Sequence, residues 1–364
     1  MNICHLTSVH SKSDTRIFLK ECRSLVQAGY VVNYVVPGVE NSIEENVNIH
    51  GIKKSNGNRL DRMTKTVKAI YLKALEIDAD VYHFHDPELM PVGLKLKKKG
   101  KKVIYDIHED LPRALLSKRW INPIIRKPMS LIFEFYEDYA SKKFDCLMTA
   151  TPFITERFNR INTNTVNINN YPLLGELQIS NTDIPQSKQK QVCYVGGLNP
   201  IRGIYQLLSA ADSIKGAGAI LIAGPINPNE MKQQLHAHDN IEYLGFVDRV
   251  ELKKLLASSI AGIVTFLPEP NHINAQPNKM FEYMSAGIPV ICSDFPLWRS
   301  IIDKHRCGVC VDPEKPEAIA EAINYLLDNP GEAERMGQNG RGAVEAEYNW
   351  EQESEKLIQA YKNL

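Results

Sequence analysis

Short apolar segments alternate with longer amphipathic segments along most of this chain, and this alternation restricts its fold more than any other feature. Strands that alternate with helices predict a parallel sheet covered on both faces. The strands predicted in the first half are residues 1–6, 31–37, 81–85, 102–107 and 146–150, and the clearest helices are residues 16–28 and 126–143. In the second of these helices, Leu131, Phe135 and Tyr139 fall on one side.

The same alternation begins again after residues 162–191, which are rich in Asn, Thr, Ser and Pro and have the composition of a linker. Beyond them, strands are predicted at residues 192–195, 219–223, 241–244, 261–266 and 289–293, and helices at residues 205–211, 250–258, 278–285 and 316–328. The predicted fold class is therefore α/β, with two doubly wound Rossmann-like domains facing across a cleft. The predicted boundaries are 1–172 for the N-terminal domain, 173–190 for the linker, 191–347 for the C-terminal domain and 348–364 for a final helix.

Composition excludes several classes of protein. The 364 residues contain no apolar run near the length of about 18 that a membrane-spanning helix needs. The first residues lack the pattern of a signal peptide, and the seven scattered cysteines indicate no disulfide framework, so we expect a cytoplasmic protein. The net charge is zero overall, but residues 1–172 carry +7 and the remainder −7. The basic half suits an anionic surface or substrate, although chance and attraction between the halves explain the asymmetry equally well.

The segment from Asn274 to residue 291 carries the strongest chemical signal. Asn278 is predicted to cap a helix that Gly287 ends, and the free amides of a helix start can bind a phosphate. Lys279 adds a positive charge there, and Glu282, on the same helix face, can accept hydrogen bonds from a ribose diol. The alternative is an ordinary surface pair of Lys and Glu.

A second signal follows the first strand of the second half. Gly196 and Gly197 would let the backbone approach a ligand closely, and Arg202 offers a forked donor for phosphate oxygens. The spacing is not that of the dinucleotide fingerprint, which makes a hydride-transfer enzyme less favoured. The alternative is a tight turn with an exposed arginine.

In this order and spacing, the two segments resemble the retaining family 4 glycosyltransferases of the GT-B fold, in their bacterial polysaccharide-assembly type. The resemblance continues through residues 287–294, 307–313, 336–341 and 348–350, so it covers essentially all of 192–364. It implies that the C-terminal domain binds a nucleoside-diphosphate sugar. It also implies that the final helix packs back on the N-terminal domain.

Individual site residues follow from the same resemblance. Glu282 matches the second acidic residue of the family's E-x7-E motif, and Asn274 stands where its first Glu is usual, which leaves the donor sugar open. Arg202 matches the family's phosphate-binding residue, whereas Gly197 replaces a further Arg. The implied donor-binding set is Gly196, Gly197, Arg202, Phe246, Val247, Asn274, Gln276, Pro277, Asn278, Lys279, Met280, Phe281 and Glu282. Phe246 and Val247 correspond to the loop beside the nucleobase.

The first half resembles the family more weakly, through residues 5–18, 83–88 and 105–110. His108 corresponds to a histidine that approaches the transferred sugar, and an imidazole can hold a sugar hydroxyl or stabilise charge. The predicted catalytic residues are His108, Arg202 and Lys279. The acceptor-side candidates are His10, Asp14, Arg16, His85, Glu109 and Asp110.

Two possible metal or redox motifs are set aside. His83 and His85 lie on one strand face beside Asp86, but the sequence offers no further evident ligand pair, and the resemblance implies neither a metal nor a cofactor. Cys307 and Cys310 have redox or zinc spacing without a second pair, so they are interpreted as structural.

Residues 113–127 mix cations with Trp120 and paired isoleucines, and a lysine-rich run occupies 95–102. Such stretches suit the inner face of an anionic membrane, although a solvated charge run beside a packed loop is equally compatible. Nucleic acid fits poorly as a partner, because the acidic half cancels the basic half and no stacking motif is present.

The leading hypothesis is a metal-independent glycosyltransferase in cell-surface polysaccharide biosynthesis. It would move a hexose-type sugar from a nucleoside-diphosphate donor, UDP being favoured over GDP, to a hydroxyl of a saccharide or lipid-linked saccharide. The resemblance implies retention of configuration. One alternative is a sugar-nucleotide epimerase of the same fold, with Glu109, Asp110 and Asp14 as acid–base candidates. Another is a non-catalytic protein that binds a nucleotide sugar.

Overall fold

The chain forms two compact α/β units. The computed structural model describes residues 1–54, 61–118, 120–180, 191–214, 219–226, 231–235 and 237–364. The first unit is Met1–Asn170 with Trp350–Leu364, and the second is Tyr171–Asn349. Residues 173–180 of the predicted linker belong to the second unit, and residues 181–190 lie outside the described residues. Within those described ranges, no helix combines the length and the apolar character needed to span a bilayer.

The first unit is built on an eight-stranded sheet. Its strands are β1 (Asn2–Leu6), β2 (Val31–Pro37), β3 (Ser42–Glu44), β4 (Val47–Ile52), β5 (Val81–Phe84), β6 (Lys102–Ile107), β7 (Cys146–Thr149) and β8 (Thr165–Asn167). The strand order is β3-β4-β2-β1-β5-β6-β7-β8, and every pairing is parallel except that of β3 with β4. The parallel order places the carboxyl ends of β1, β5 and β6 side by side, where a doubly wound sheet holds its ligands.

Helices connect these strands. A π-helical turn, Ile17–Cys22, continues directly into α1 (Arg23–Gln27), and a second π-helical turn, Arg62–Thr66, continues into α2 (Val67–Ile77). The others are α3 (Met90–Lys98), α4 (Leu111–Leu116), α5 (Pro123–Ser141) and α6 (Pro152–Asn159). Single π-type turns occur frequently at functional sites. The first of these turns is the first helical element after β1 in the sequence.

The second unit contains a six-stranded, wholly parallel sheet. Its strands are β9 (Gln191–Val195), β10 (Ala219–Ala223), β11 (Ile241–Gly245), β12 (Ala261–Val264), β13 (Val290–Ser293) and β14 (Gly308–Val311), in the order β11-β10-β9-β12-β13-β14. Its helices are α7 (Ile204–Ala211), α8 (Met231–Leu235), α9 (Arg249–Ser258), α10 (Asn278–Ala286), α11 (Pro296–His305), α12 (Pro316–Asp328) and α13 (Pro330–Ala346).

Both faces of this second sheet are buried. Cys193 of β9 packs into one apolar cluster, whereas its neighbours Val192 and Tyr194 pack into another on the opposite face. Alternation of this kind is expected when helices cover a parallel sheet on both sides. The predicted α/β fold class with two doubly wound domains is confirmed, and each predicted strand and helix is present with its ends shifted by a few residues at most.

The final helix, α14 (Trp350–Lys362), belongs to the first unit although it ends the chain. Trp350 and Tyr361 are buried there, and the indole N–H of Trp350 donates to the Ser24 hydroxyl over 2.9 Å. Glu353 accepts a hydrogen bond of 2.8 Å from the backbone N–H of Asn169. Side chains that are far apart in sequence therefore tie this helix to the sheet.

Helix α5 is oriented opposite to what its amphipathic pattern suggests. The side with Leu131 and Phe135 faces solvent, where these side chains are 57% and 77% exposed. Glu137, on the other side, is buried and bonded to Tyr105 and Arg157. The predicted apolar stripe exists, but nothing within the described residues covers it.

Candidate donor and acceptor sites

The turn after β9 brings two cations to a backbone that lacks side chains. Gly196 has φ of +123°, a conformation that side-chain-bearing residues rarely adopt. A Cβ atom at Gly196 would lie 2.7 Å from Nζ of Lys279, and one at Gly197 would lie 3.3 Å from Nη1 of Arg202. The backbone conformation therefore favours glycine at Gly196, and a side chain at either position would crowd the end of Lys279 or Arg202.

Lys279 is a buried cation without a hydrogen-bond acceptor. Its ammonium lies 4.3 Å from the ring centre of Tyr194 and 5.3 Å from that of Phe266, and no described residue accepts a hydrogen bond from it. Burial, reinforced by the charge of Arg202, lowers the pKa of Lys279 well below its usual value, and Glu282 only partly offsets this. A lysine in this position gains most from an anion that arrives with the ligand.

Arg202 completes the pair of cations. Its Nη1 donates a long hydrogen bond of 3.4 Å to the carbonyl of Gly197, and its guanidinium lies 5.5 Å from the ring centre of Phe266. Two neighbouring cations on aromatic walls, next to a turn without side chains, can hold a diphosphate.

Helix α10 starts beside this site without a side-chain cap. The prediction that Asn278 caps the helix is wrong: Pro277 occupies the cap position and Asn278 is the first helical residue. Proline has no side-chain acceptor, so the residue at the cap position leaves the first amides of the helix without a side-chain hydrogen bond. Gly287 ends the helix in the left-handed conformation with φ of +75°, as predicted. The first amides of α10 therefore have no competing side-chain acceptor at the cap.

The carboxylate of Glu282 is held by an arginine that the sequence analysis missed. Nη1 of Arg249 lies 2.6 Å from Oε1 of Glu282, and the same guanidinium binds Glu176 in a fork of two 2.7 Å contacts. These carboxylates and hydrogen bonds raise the pKa of Arg249 despite its burial. Arg249 begins a capped helix 33 positions from Glu282, so no local motif connects the two residues.

The remaining predicted donor residues divide by exposure. Phe246 is 82% exposed and follows Gly245, whereas Val247 packs against the core of the unit. Met280 and Phe281 are buried core residues, so only their backbone can reach a ligand. Nε2 of Gln276 donates a hydrogen bond of 3.4 Å to the hydroxyl of Tyr171. Next to Asn274, the backbone carbonyl of Ala275 accepts a hydrogen bond from the indole N–H of Trp298.

In the first unit, Asp106 organises the predicted histidines. Its Oδ2 accepts hydrogen bonds from His108 Nε2 at 2.6 Å and from His85 Nδ1 at 3.0 Å. Arg16 holds both oxygens of the same carboxylate, with contacts of 2.9 and 2.7 Å. The charge of Arg16, together with His108, lowers the pKa of Asp106 well below its usual value despite burial. His108 is therefore fixed in one orientation by an ionised carboxylate.

His10 lies beside His108, with ring centres 5.4 Å apart. Its Nδ1 donates to Asp14 over 2.9 Å, and its Nε2 lies 3.4 Å from Asp86. Burial alone would lower the pKa of His10, but these carboxylates outweigh it and raise the pKa. Asp14 also accepts from two backbone amides at the start of the first π-helical turn, and its pKa is lowered.

The acceptor-side candidates fall into two groups. His10, His85 and Glu109 line a pocket of about 1070 Å³ together with the predicted catalytic residue His108. Arg16 is buried against Asp106 and Glu21, and Asp14 accepts hydrogen bonds from the backbone amides of Arg16 and Ile17. Asp110 faces Arg113 and Arg157. Asp14, Arg16 and Asp110 therefore do not line the pocket, and each is paired with other side chains of the first unit.

The pocket has a polar end and an apolar end. The polar end contains the histidines together with Asp86 and Glu88, and the apolar end contains Leu111, Leu115, Trp120, Met129, Ile132, Phe133 and Tyr136. Asp106 and Asp86, which the sequence analysis did not select, could have been found from position. Asp106 lies two residues before His108 on the same strand end, so both point to the same face.

Comparisons with known proteins agree with this architecture. Residues 178–343 match the family model of the glycosyl transferases group 1, and residues 15–167 match that of the glycosyltransferase family 4. The chain is 30% identical over 151 residues to the D-rhamnosyltransferase WbpZ of Pseudomonas aeruginosa, covering 40% of this chain and 38% of the relative. It is 25% identical over 175 residues to an O-antigen chain mannosyltransferase C of Escherichia coli, covering 47% and 45%. The matched region is thus less than half the length of each relative.

Solved structures match the whole fold. Sucrose-phosphate synthase from Thermosynechococcus elongatus superposes with a TM-score of 0.81 at 19% identity, covering 100% of this chain and 98% of that one. Anabaena HepE in complex with UDP and glucose superposes with a TM-score of 0.78 at 14% identity, covering both chains completely. The predicted resemblance is confirmed at this level: the chain has the GT-B fold, and both of its halves match glycosyltransferase family models.

Proposed function

We propose that this protein is a retaining glycosyltransferase that moves a sugar from a nucleoside-diphosphate donor to a hydroxyl of a saccharide or lipid-linked saccharide. The second unit would hold the donor and the first unit the acceptor. The proposal places the protein in cell-surface polysaccharide assembly. The similarity to an O-antigen chain mannosyltransferase supports that placement.

One observation carries the proposal: Lys279 is buried, has no hydrogen-bond acceptor among the described residues, and lies beside Arg202 at a turn of two glycines. Two adjacent cations in an apolar setting are unfavourable unless an anion joins them. A diphosphate supplies that anion and can accept from both side chains. Amides at the start of α10 would contribute further donors.

For the nucleoside, we favour UDP over GDP. Phe246 would stack on the base, and Glu282, held by Arg249, would accept hydrogen bonds from the ribose hydroxyls. The Anabaena neighbour was crystallised with UDP and glucose, which supports a uridine donor. Asn274, where the family's usual acid is missing, leaves the identity of the sugar open.

The proposed chemistry is transfer on one face of the sugar. The bond between the anomeric carbon and the diphosphate oxygen breaks, and Lys279 and Arg202 stabilise the charge that develops on the leaving phosphate. The acceptor hydroxyl attacks from the same side and gives its proton to that departing oxygen. His108, fixed by Asp106, would hold a hydroxyl of the transferred sugar. This sequence requires no metal ion at the reacting atoms.

The acceptor would occupy the pocket of the first unit. Its polar end suits saccharide hydroxyls, and its apolar end suits a lipid chain attached to them. The apolar end includes the exposed side chains of Trp120, which precedes α5, and of Met129 and Ile132 on α5. Lys118, Arg126 and Lys127 lie close by in sequence. We therefore propose that this face rests on the inner leaflet of an anionic membrane.

Calorimetric titration with UDP, GDP and their sugars tests the donor assignment. We expect UDP to bind more tightly than GDP, and Lys279→Met to weaken the binding of both at least tenfold. The matched control is Lys254→Met, an exposed lysine on helix α9. Unchanged binding by the Lys279 variant would contradict the proposed site.

Incubation of the bound UDP-sugar with and without membrane-lipid extract tests the reaction. A retaining transferase consumes the donor only when an acceptor is present. Its product has the same anomeric configuration, α or β, as the sugar in the donor. An epimerase would isomerise the donor without acceptor, and a binding protein would leave it unchanged in both conditions. Either result would reject the transferase.

A further inference from the structure

Four side chains with metal-binding chemistry meet in the interior of the first unit. His5 comes from β1, and His83 and His85 come from β5 and the residue after it. Glu21 comes from the first π-helical turn. In the parallel pairing of the two strands His5 stands beside His83, and all four side chains are completely buried.

The ligand atoms enclose a space of the right size for an ion. Nδ1 of His5 lies 2.9 Å from Nε2 of His85, and Oε2 of Glu21 lies 3.9 Å from each of these nitrogens. Nδ1 of His83 lies 4.0 Å from the same oxygen and 2.7 Å from the hydroxyl of Tyr361, so it would exchange that contact for the ion. In a tetrahedral zinc site, with bonds of about 2.0–2.2 Å, neighbouring ligand atoms are roughly 3.4 Å apart. The observed distances of 2.9, 3.9 and 4.0 Å lie on both sides of this value.

The protein alone leaves this cluster incompletely satisfied. Neither carboxylate oxygen of Glu21 receives a hydrogen bond from the described residues, although Nε of Arg16 lies 3.0 Å from Oε1 and the carboxyl group of Asp106 is also a neighbour. Nε2 of His83 also has no hydrogen-bond partner there. Burying such groups without partners is costly, whereas three neutral imidazoles and one carboxylate are ligands that zinc prefers.

Outer partners are in place around the four ligands. Nδ1 of His85 donates to Asp106, which gives the carboxylate–histidine arrangement common behind metal-bound imidazoles. Nε2 of His5 lies 3.4 Å from the hydroxyl of Tyr361, and Arg16 faces the oxygen of Glu21 that would not bind the ion. These contacts fix the orientation of three ligands.

We propose that His5, Glu21, His83 and His85 bind one zinc-like divalent transition-metal ion in a closed, structural site. Four protein ligands leave no open position, so the ion does not enter the sugar transfer, whose proposed chemistry stays metal-independent. Its role is to fix His85, and through Asp106 to fix His108 at the polar end of the pocket. No metal is expected from the sequence, because no further ligand pair is evident beside His83, His85 and Asp86 and the family resemblance implies none. The fold brings His5 and Glu21 to the two histidines.

Metal content and cobalt spectroscopy of the full chain, purified without a metal-affinity tag, test the site. We expect about one equivalent of zinc per chain, and the visible absorption of tetrahedral Co²⁺ after exchange. Glu21→Gln and His83→Gln should lower Co²⁺ affinity by more than the 10–100-fold that loss of an outer partner costs. The matched control is His50→Gln. His50 lies on β4 and is hydrogen-bonded to Asn33 of β2, so this variant should keep the metal.

A neighbouring set of groups provides the decisive comparison. His85, Asp106 and His108 also lie within ligand distance of one another. If His108→Gln loses the metal and His83→Gln retains it, the proposed site is overturned. No bound zinc or cobalt after equilibration with either ion would overturn it as well. Limited proteolysis of each variant, with cleavage sites mapped to residues 1–170, checks that metal loss does not reflect a failure of the first unit to fold.

Discussion

At the scale of single residues, Lys279 illustrates how a binding site reduces the stability of the empty protein. Its ammonium is buried against Tyr194 and Phe266 and has no acceptor in the described part of the chain. Such a group is retained where a ligand brings the missing charge. Function and stability should therefore respond in opposite directions when this side chain is changed.

The variant Lys279→Met tests this opposition. Methionine keeps most of the apolar volume and removes the buried charge, so we expect a higher melting temperature without ligand. UDP affinity should fall at least tenfold, about 1.4 kcal/mol, by calorimetric titration. The exposed Lys254→Met should leave both quantities unchanged. A variant that is less stable and still binds UDP would reject the assignment.

His108 has a different signature, because Asp106 and the acceptor pocket rather than the donor surround it. For His108→Gln we expect turnover to fall by about 100-fold while UDP affinity stays the same, since charge stabilisation near the sugar is lost. Steady-state kinetics and titration separate the two effects. His238→Gln, a surface histidine paired with Asp212, serves as the control. A loss confined to donor affinity would place His108 elsewhere in the reaction.

At the scale of elements, helix α5 shows that an amphipathic pattern does not say which side is buried. Its polar side is held inside by Glu137, which contacts Tyr105 and Arg157. Burial, opposed by the charge of Arg157, raises the pKa of Glu137 to about 7. The exposed apolar side is then available for another surface.

The raised pKa makes the anchoring of α5 depend on pH. As the pH rises, Glu137 loses its proton near pH 4.5 in the unfolded state but only near pH 7 in the folded state. The stabilisation is therefore complete below about pH 4.5 and is lost as the pH rises through 7. Relative to Glu137→Gln, the wild type should lose up to about 3 kcal/mol of unfolding free energy across this range.

Urea unfolding at several pH values measures this difference. Glu156→Gln, an exposed glutamate on α6, should instead follow the wild type at every pH. Parallel stability curves for wild type and Glu137→Gln would show that Glu137 titrates normally.

The exposed side of α5 can be tested without disturbing the fold. Replacing Leu131 and Phe135 together by Ser should reduce binding to vesicles containing phosphatidylglycerol at least tenfold, because each side chain loses burial worth about 1.5–3 kcal/mol. Unfolding free energy should change by less than about 0.5 kcal/mol, since both side chains are exposed. Ile43→Ser with Leu72→Ser, two exposed positions elsewhere in the first unit, is the control.

The exposed side of α5 could contact either a membrane surface or a second copy of this chain. Sedimentation with vesicles measures the first, and analytical ultracentrifugation measures the second. Absence of vesicle binding, combined with a dimer that the Ser variant dissociates, would assign the face to a second copy of the chain.

At the scale of the whole molecule, the last helix completes a domain whose other residues come first in the chain. Trp350 and Tyr361 fill the core of the first unit, and Tyr361 also lies 2.7 Å from Nδ1 of His83. The two units therefore differ in how they depend on the chain terminus. The helix belongs to the first unit, so its loss is expected to affect that unit first.

Replacing Trp350 and Tyr361 together by Ala should destabilise the first unit by more than about 4 kcal/mol, because two large buried side chains are lost. Limited proteolysis should then cleave within residues 1–170, while UDP binding by the second unit persists. Glu355→Ala with Gln359→Ala, on the exposed side of the same helix, should behave like the wild type. Resistance of the double Ala variant to proteolysis would contradict this account.

The sequence by itself determined the fold class and the position of the donor motifs. Strand and helix periodicity is a local property, so the order of β9, the diglycine turn and α10 could be predicted from neighbouring residues. Elements with weaker periodicity, such as β4, α2 and α11, were missed. The cap at Asn278 failed because proline sets the helix start one residue earlier.

Only the tertiary structure decided which distant side chains share a site. Arg249 meets Glu282 and Asp106 meets Arg16 across 33 and 90 positions, and Glu21 joins three histidines through strand order and a π-helical turn. The same holds for α5, whose apolar side stays exposed because Glu137 finds its partners in the interior. Contacts of this kind depend on how strands pair and helices pack, and no local pattern contains that information.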